Sequence, residues 1–448
     1  MIVPEPRLAF TVGVLSVLAA LAYAYSAAAA PFAVLVLLLL ALALVLDALR
    51  ATRRPAPFSV EVPGKAAWLK DVPAELALIC TPAFPGPAMT LRVGIPWPAH
   101  IALAEEFLSV RSGGDGERIR VHWPVTPRKR GRFLLDTIFA DAPSPWGLWR
   151  VRHRLNAHCD VHVHPNLGDA RHQSAAMFLH RTGAGSRVVR QVGRGREFEQ
   201  LREYLPGDSF EDIFWKGTAR RGKPVTKTYQ LEQVQEVYTI IDTSRLSTRD
   251  FGAGSDAARE DTYLEHFVST ALLLSAVAGR QHDRFGLATF SSKVNVFLRA
   301  GAGRGHFNAC RNALTETVAT HANPDFEELF IYLRQVLRRR ALLVFFTSLD
   351  DPMLAEQFCA NIHLLSRKHL VVVCLLTPAN ARPMFSGTPA DALEDIYGQL
   401  GGHLQWQQLR ELQGNLSRQG VSAFLLQKEQ LCNDVIEHYL NIKKRQLL

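Results

Sequence analysis

Carboxylate and hydroxyl side chains cluster directly after an apolar run near the middle of the chain. The run, residues 237–242, reads VYTIID and ends on Asp242. The hydroxyl residues within the next six positions are Thr243, Ser244, Ser247 and Thr248. Such oxygen atoms are the ligands that a hard cation such as Mg²⁺ prefers. The segment therefore predicts either a magnesium site or an ordinary polar loop at the end of a buried strand.

The elements around Asp242 indicate where such a site would lie. Apolar runs alternate after this point with segments that carry apolar residues at three- and four-residue spacing. The predicted strands are 237–242, 285–290, 294–298, 341–348, 370–376 and 422–427, and the predicted helices are 263–279, 324–337 and 354–368. Uniformly apolar strands separated by helices indicate a mainly parallel sheet covered on both faces. Ligands in such folds bind outside the carboxyl ends of the strands, where Asp242 lies.

Residues 58–190 predict a β-rich, sandwich-like domain. Its candidate strands are 58–62, 75–80, 89–95, 118–125, 131–140 and 159–165. The alternating polar residues around the last strand are His158, Asp160, His162 and His164. A strand would place all four on one face, where they could bind a metal. Strand alternation alone produces the same pattern, and we favour a half-buried strand with Cys159, Val161 and Val163 inward.

Two uncharged apolar segments, residues 8–25 and 31–46, precede this domain. Each approaches the roughly 20 residues that a membrane-spanning helix needs, so we predict a helical hairpin within residues 1–50 and a linker at 51–57. The basic residues that flank the hairpin are Arg7 before it and Arg50, Arg53 and Arg54 after it. The positive-inside rule then leaves both ends in the cytoplasm. A cleaved signal peptide is the alternative, although a second apolar segment follows the first at once.

The composition narrows the compartment and the partners. The chain has 448 residues, a net charge of +9 and a pI near 9.4, which suggests a nucleic acid or an anionic membrane surface as a neighbour. The cysteines are Cys80, Cys159, Cys310, Cys359, Cys374 and Cys432. None forms a C-x-x-C pair, which argues against a zinc ribbon and a disulfide framework. Unpaired thiols fit a reducing compartment such as the cytoplasm.

Residues 195–233 carry the most specific pattern in the chain. GTARRGKP at 217–224 superficially fits a phosphate-binding loop, but Pro224 stands where Ser or Thr should reach Mg²⁺. The surrounding segment closely resembles the signature of the domain-of-unknown-function 58 family. The residues that match are Gly195, Glu197, Phe198, Leu201, Arg202, Glu203, Tyr204, Pro206, Gly207, Asp208, Ile213, Trp215, Ala219 and Arg220.

The resemblance implies an architecture for effectively the whole chain. The resemblance implies a membrane hairpin, then a β-rich segment, then a C-terminal α/β domain. That last domain is expected to be von Willebrand factor A-like, which is a Rossmann-type fold with a mainly parallel sheet. KRGRF at 129–133 and SPWGLW at 144–149 occupy the places of two further family elements. We therefore assign the signature segment to residues 191–236 and the von Willebrand factor A-like domain to 237–448.

The signature segment also suggests an interaction surface. The residues predicted to form it are Arg202, Glu203, Tyr204, Pro206, Gly207, Asp208, Trp215 and Arg220. Charges beside an aromatic residue in a Pro-Gly turn are typical of a rigid, hydrogen-bonded loop packed on a domain edge. We interpret the segment as a structural clasp between the sandwich and the C-terminal domain, with a ligand site as the alternative.

The von Willebrand factor A-like fold implies a metal-ion-dependent adhesion site. That site uses D-x-S-x-S after the first strand, a Thr from a later loop and an Asp after the fourth strand. Asp242 and Ser244 match the first two positions, but Leu246 occupies the third and Ser247 comes one residue late. The later Asp is expected at Asp350, and the loop is expected at 301–314, where His306 and Asn308 are the candidates. The resemblance thus implies a degenerate site, with bound Mg²⁺ left open.

Two main functions compete on this sequence, and binding of envelope or lipid components through the sandwich is a third possibility. The resemblance implies a non-enzymatic interaction or scaffold protein of the bacterial inner membrane, with its soluble domains in the cytoplasm. Its implied partner is a MoxR-type AAA+ ATPase that acts in protein assembly or maturation. The alternative is a metal-dependent hydrolase of phosphates or nucleic acid that uses Asp242, Asp350 and His306. Few carboxylates lie near strand ends and no small-molecule substrate is evident, so we expect no enzyme and no nucleic-acid partner.

Overall fold

The protein is described by a computed structural model. The residues that the structure describes are 2–25, 30–53, 56, 58–82, 89–112, 118–168, 192–193, 197–205, 210, 213–230, 235–249, 262–378, 380–384, 386, 393–428 and 430–444. They fall into two compact units, one within residues 1–166 and the other within 167–448.

Two apolar helices lie near the start of the first unit. Strand β1 is Ile2–Pro4, helix α1 is Pro6–Tyr25 and helix α2 is Ala30–Arg53. The two helices contact one another. Within the described residues, one stretch, Val34–Arg53 of α2, is long and apolar enough to cross a membrane, and α1 contributes a shorter apolar stretch, Pro6–Leu21.

The rest of the first unit is a sandwich of two sheets. Its strands are β2 Phe58–Glu61, β3 Lys65–Leu69, β4 Ala74–Pro82, β5 Met89–Gly94, β6 Ile101–Leu103, β7 Phe107–Ser112, β8 Ile119–Pro127, β9 Gly131–Pro143 and β10 Trp149–His164. One sheet has the order β1-β10-β9-β5-β7, with β3 parallel beside β10, and the other has the order β2-β4-β8-β6. Leu78 and Trp123 from one sheet pack against Val93, Ile138 and Val161 from the other. Their burial forms the core of this unit.

The second unit begins with a small antiparallel sheet. Strands β11 Val192–Gly193, β12 Glu197–Glu203 and β13 Val225–Gln230 form it in the order β11-β13-β12. Helix α3, Trp215–Arg221, lies in the connection between β12 and β13.

A larger sheet organises the remainder of this unit. Its strands are β14 Glu236–Asp242, β15 Arg284–Phe290, β16 Val294–Gly301, β17 Leu342–Thr347, β18 Leu370–Leu376 and β19 Ser422–Leu426. The order is β16-β15-β14-β17-β18-β19, and only the edge strand β16 runs antiparallel among these described strands. Strand β14 is therefore central, and its carboxyl end lies beside the ends of β15 and β17.

Helices cover both faces of this sheet. They are α4 Tyr263–Arg280, α5 Arg304–Glu316, α6 Phe326–Val336, α7 Pro352–Asn361, α8 His363–Ser366, α9 Leu393–Arg418 and α10 Leu431–Lys444. Val237 and Ile241 face a core that includes α4, α5 and α10, whereas Tyr238 and Ile240 face one that includes α6 to α9. The C-terminal helix α10 thus docks on the sheet, and the predicted mixed α/β class is confirmed.

Candidate functional site

Asp242 lies at the carboxyl end of β14 and is fully buried. The backbone N–H of Ser244 donates to its Oδ1 over 2.8 Å, and the Thr347 hydroxyl, at the end of β17, donates to its Oδ2 over 2.7 Å. Burial raises the pKa of Asp242, and these hydrogen bonds offset only part of the rise. Asp242 is therefore a desolvated carboxylate at the predicted strand end, and its two oxygens accept from neutral donors.

The two serines that were predicted as metal ligands instead shape the loop after β14. Ser244 is the N-cap of a short 3₁₀ helix, Arg245–Thr248, and its Oγ accepts from the backbone N–H of Leu246 at 3.3 Å. The Ser247 hydroxyl donates to the Ser244 carbonyl at 2.8 Å. Leu246, at the expected third ligand position, is buried in the hydrophobic core. This 3₁₀ turn explains why the hydroxyls depart from the D-x-S-x-S spacing.

A threonine that sequence reasoning missed lies against this strand end. The segment between α5 and α6 returns to β14, and both the backbone N–H and the hydroxyl of Thr320 donate to the Thr243 carbonyl, at 2.7 and 3.1 Å. Two residues later, the Ala322 carbonyl accepts from the backbone N–H of Arg245 at 2.9 Å. The only sequence signal was a hydroxyl residue in THANPD, the Pro-containing link between two helical segments.

The prediction of a loop at 301–314 is wrong, because most of these residues form helix α5. His306 lies on that helix, and its Nε2 is 2.7 Å from the Phe285 carbonyl, at the start of β15. Asn308 belongs to the same helix. In a parallel pair the start of β15 is the edge opposite to Asp242. His306 therefore does not join Asp242 in one site.

Asp350 lies in the loop that follows β17, and its side chain is 5% exposed. A guanidinium nitrogen of Arg249, from the loop after β14, donates to its Oδ2 at 2.5 Å. Its Oδ1 is buried, and the Ser348 hydroxyl interacts with this carboxylate and favours its charged form. Burial raises the pKa of Asp350, although Arg249 opposes the rise.

A second arginine–carboxylate contact joins the same two loops. The Asp351 Oδ2 lies 3.6 Å from a guanidinium nitrogen of Arg245, and its Oδ1 caps helix α7 by accepting from the Met353 backbone N–H at 3.0 Å. Arg245 also donates from Nε to the Asn323 side-chain oxygen. Arginine side chains therefore supply positive charge at this strand end.

These residues do not fit the metal-ion-dependent adhesion site that the fold family implies. Leu246 packs in the core where a third oxygen ligand should stand, and Arg249 already occupies one oxygen of Asp350. A divalent cation bound to Asp350 would lie within a few ångströms of that guanidinium and be repelled by it. Of the predicted metal set, Asp242, Ser244 and Ser247 thus belong to a buried hydrogen-bonded turn, and Asp350 is paired with Arg249.

The signature segment forms the small sheet of the second unit. Glu203, at the end of β12, pairs with Lys223 at 3.3 Å, and its carbonyl accepts from the Arg202 guanidinium at 3.3 Å. The Tyr204 ring lies 5.9 Å from that of Phe210. Pro206, Gly207 and Asp208 lie outside the described residues. The clasp interpretation stays a prediction.

Helix α3 accounts for the remainder of the signature. Trp215 begins the helix and is 68% exposed, and Arg220 is also exposed. Gly222 ends the helix in the left-handed conformation at φ +66°, which glycine adopts without strain. The GTARRGKP segment is therefore a helix and its C-cap, not a phosphate-binding loop after a strand.

The histidine-rich strand β10 agrees in part with the interpretation that we favoured, because His164, which was expected in solvent, is buried. Cys159, Val161 and Val163 are buried in the sandwich core. On the polar face, Asp160 accepts from Arg132 Nε at 2.8 Å and lies 3.1 Å from His162 Nε2. The Arg132 hydrogen bond is the main reason that the pKa of Asp160 falls to about 2. These partners give Asp160 a structural role.

Comparison with known proteins concentrates on the second unit. Residues 200–387 match the model of a family described as protein of unknown function DUF58. This segment belongs to the DUF58 family. The DUF58 match contains helix α3, strand β14 and the loop after β17, and so it includes Trp215, Asp242 and Asp350. No curated protein matches the chain.

Solved structures with some likeness to the chain are distant. The SpRpn10 VWA domain is 9% identical, covers 46% of this chain and 95% of its own, and has a TM-score of 0.26. The CARDB domain of the PF1109 protein from Pyrococcus furiosus, solved with di-metal ions, is 17% identical, covers 25% and 97%, and scores 0.15. A protein of unknown function from Porphyromonas gingivalis W83 is 11% identical, covers 25% and 49%, and scores 0.18. Likenesses this weak say nothing about ligands or partners.

Proposed function

We propose that this protein is a membrane-anchored, non-enzymatic interaction protein whose von Willebrand factor A-like domain docks cytoplasmic partners at the carboxyl edge of the larger sheet. The proposed partner is the MoxR-type AAA+ ATPase that the family resemblance implies, and the proposed process is the assembly or maturation of other proteins. The observation that carries the proposal is the arrangement of this edge: buried carboxylates, half-exposed arginines and no convergence of the three candidate catalytic residues.

The burial of these groups argues against the hydrolase alternative. Asp242 has no exposed surface, and both of its oxygens accept hydrogen bonds within the fold. Asp350 is held by Arg249, and His306 lies at the opposite edge. A two-metal hydrolase needs several carboxylates that converge on one accessible point. The residues nominated for that chemistry do not meet this requirement.

Contacts inside the first unit support the membrane hairpin. Strand β1, before α1, pairs with β10, and Glu5 forms an ion pair with Arg150. Near the end of α2, the buried Asp47 accepts from the Ser144 hydroxyl at 2.6 Å, and the Leu44 carbonyl accepts from the Trp149 indole at 3.1 Å. Both outer ends of the helix pair are therefore fixed to one turn of the sandwich, as a two-pass hairpin would require.

This geometry supports a cytoplasmic location for the sandwich. Arg50 and Arg53 end α2 on the same side as that turn, and the positive-inside rule places such residues in the cytoplasm. Labelling of single cysteines introduced at Glu105 and Ala28 in intact cells tests the orientation. We expect an impermeant maleimide to reach only the second. Labelling of the first would contradict the two-pass arrangement.

Co-purification of the tagged full-length chain from membranes tests the partner. We expect the wild type to recover an AAA+ ATPase and the charge reversal Arg245→Glu to reduce the recovery at least fivefold, because Arg245 is exposed at the proposed docking edge. Glu327→Gln, an exposed change on α6, is the matched control and should behave as wild type. Repeated absence of an ATPase would refute this partner. Phosphodiester turnover with Mg²⁺ or Mn²⁺ that Asp242→Ala abolishes would favour the hydrolase.

A further inference from the structure

The SPWGLW segment, residues 144–149, turns from β9 into β10 and contacts helix α2 at two places. The Ser144 hydroxyl donates to Asp47 Oδ2 at 2.6 Å, and the Trp149 indole donates to the Leu44 carbonyl at 3.1 Å. The Asp47 side chain is fully buried. The SPWGLW turn is therefore held at a defined height along α2.

The apolar part of α2 determines where this height falls in a bilayer. Residues 30–46 of α2 carry no charge, and Asp47 is the first charged residue of the helix. At 1.5 Å per residue these residues rise about 26 Å, whereas the hydrocarbon core of a bilayer is about 30 Å thick. A spanning helix of this length leaves Leu44 and Asp47 at the hydrocarbon boundary or in the headgroup layer. The SPWGLW turn, which is bonded to both, lies in the same layer.

Trp146 presents an exposed aromatic side chain from this turn. Its backbone N–H donates to Asp47 Oδ1 at 3.3 Å, while its side chain is 51% exposed. Tryptophan is enriched at membrane–water interfaces, because its ring has a large apolar surface and a single N–H donor. The contact with Asp47 and the exposure of the ring thus place Trp146 in the layer that such side chains favour.

Basic residues lie on both helices beside the turn. In the first turn of α1, Arg7 has a guanidinium nitrogen 3.7 Å from the position that a β-carbon on Gly147 would take. On α2, Arg50 is exposed and lies three residues after Asp47, so the two are neighbours on the helix surface. Arg7 is exposed as well. Their charge is complementary to that of anionic lipid headgroups.

The acidic residues of this region have partners within the protein. Glu5 forms an ion pair with Arg150, and its backbone N–H donates to the Leu148 carbonyl of the turn at 3.1 Å. Asp47 accepts from the Ser144 hydroxyl. The exposed charge beside the turn is therefore that of the arginines.

We propose that the SPWGLW turn binds the headgroup layer of the cytoplasmic leaflet, where Trp146 inserts between lipids and Arg7 and Arg50 contact the phosphate of anionic phospholipids. The proposal rests on the membrane anchoring in the proposed function. It goes beyond anchoring, because it assigns a lipid contact to the sandwich itself in addition to the two helices. This contact would fix the sandwich against the membrane surface.

Fluorescence quenching by brominated lipid tests the position of Trp146. The full-length chain and its Trp146→Phe variant are reconstituted into vesicles of phosphatidylcholine and phosphatidylglycerol, with or without bromine on the acyl chains. The variant keeps the backbone N–H that donates to Asp47. We expect the emission that the substitution removes to be at least twofold weaker in brominated lipid.

Trp97→Phe is the matched control, because Trp97 packs against the sandwich core and its ring lies 5.8 Å from that of Trp68. The emission that this substitution removes should fall by less than about one fifth in brominated lipid. If the Trp146 emission were quenched no more than that of Trp97, the ring would face water or a protein, and the proposal would be overturned.

Native mass spectrometry of the full-length chain tests the phosphate contact. The chain is released from nanodiscs that contain equal amounts of phosphatidylcholine and phosphatidylglycerol. We expect it to retain phosphatidylglycerol at least threefold more than phosphatidylcholine, and we expect the double variant Arg7→Gln, Arg50→Gln to halve this preference or reduce it further. Arg154→Gln, an exposed change farther along β10, is the control and should keep the preference. An unchanged preference in the double variant would refute the contact.

Carbonate extraction separates this proposal from the proposed function. If alkaline carbonate released the wild type from membranes, membrane anchoring would fail, and the lipid contact of the turn would fail with it. If the wild type stayed in the membrane fraction while Trp146 was not quenched, the lipid contact alone would be refuted. Retention together with quenching of Trp146 supports both.

Discussion

Two buried carboxylates lie at opposite edges of the larger sheet, and they differ in their hydrogen-bond donors. Asp283, at the amino edge, accepts from the Tyr439 hydroxyl and from Lys443 Nζ at 2.8 Å, and also from the Gln235 backbone N–H at 3.2 Å. Asp242, at the carboxyl edge, accepts from a backbone N–H and a hydroxyl. The first carboxylate is paired with a cation from helix α10, whereas the second receives only neutral donors.

This difference indicates which edge is structural and which is available for function. A carboxylate bonded to an ammonium and a phenol holds two elements together and has little capacity for another ligand. Its contact also raises the pKa of Tyr439, although burial is the larger cause of that rise. At the carboxyl edge, no cation is paired with Asp242 among the described residues. The guanidinium groups of Arg245 and Arg249 lie in the loop that follows it. That edge is also where parallel α/β sheets bind ligands.

Replacement of Asp283 should give the largest loss of stability. Asp283→Ala leaves the Tyr439 hydroxyl without its acceptor and Lys443 with only the Gln281 carbonyl. Removal of one partner of a buried pair typically costs about 3 kcal/mol. We expect faster hydrogen exchange throughout α10 and a lower thermal midpoint for the full-length chain. Glu327→Ala on an exposed face is the control. If the exchange of α10 did not change, Asp283 would not be the structural carboxylate of the pair.

The sequence predicted the fold better than the site, for physical reasons. Residues 370–376 were assigned as a strand with the same limits as β18, because a buried parallel strand is apolar throughout. Strand β10 begins earlier than predicted, at Trp149. A register shift between Asn156 and Cys159 interrupts the regular alternation there, so the pattern did not reveal the first part of the strand. Asp242 was located because it ends such an apolar run.

The missing parts of the site depend on contacts between distant segments. Thr320 reaches Thr243 across 77 residues, and Arg249 reaches Asp350 across 101. Neither contact leaves a periodic signal, because each is made by a loop whose path is set by the helices before and after it. The spacing rule for metal ligands also assumed a D-x-S-x-S turn, whereas the 3₁₀ helix turns Leu246 into the core.

Loss of Arg249 should have an intermediate effect. Arg249→Gln removes the guanidinium from a buried carboxylate, but the arginine side chain is 40% exposed, so solvent screens the pair and we expect a loss of about 1 kcal/mol at neutral pH. The pKa of Asp350, which burial already raises, should rise further without Arg249. Since a raised pKa in the folded state favours the protonated form, the deficit of the variant should shrink as the pH falls through that pKa. Thermal midpoints at acid and neutral pH measure this, and a deficit that grew in acid would contradict the pairing.

Neutralisation of Asp242 should change stability little, in contrast to Asp283. In Asp242→Asn the side-chain oxygen can still accept from Ser244, and the Thr347 hydroxyl can rotate to accept from the amide. The change also removes a buried charge, so we expect a stability within about 1 kcal/mol of wild type.

The stability of Asp242→Asn relative to the wild type should also depend on pH, in a direction that the pKa of Asp242 predicts. Because the pKa of Asp242 is raised in the folded state, the wild type gains stability from its protonated form at low pH and loses that gain as the pH rises through the raised pKa. The variant lacks this loss, so its stability relative to wild type should increase with pH. A variant that unfolded as readily as Asp283→Ala would show that Asp242 is equally structural.

Addition of Mg²⁺ should have the smallest effect. Leu246 occupies one ligand position and Arg249 supplies the positive charge beside Asp350, so 5 mM Mg²⁺ should leave the thermal midpoint of the wild type within about 1 °C, since a ligand stabilises only the state that it binds. Saturable stabilisation that disappears in Asp242→Asn would show that a cation binds despite both residues. The Arg249→Ala variant distinguishes the two causes, because it frees Asp350 but keeps Leu246. If Mn²⁺ bound only to this variant, electrostatic repulsion by Arg249 would be what excludes the cation from the wild type. If Mn²⁺ bound to neither chain, the missing third oxygen ligand would be what excludes it.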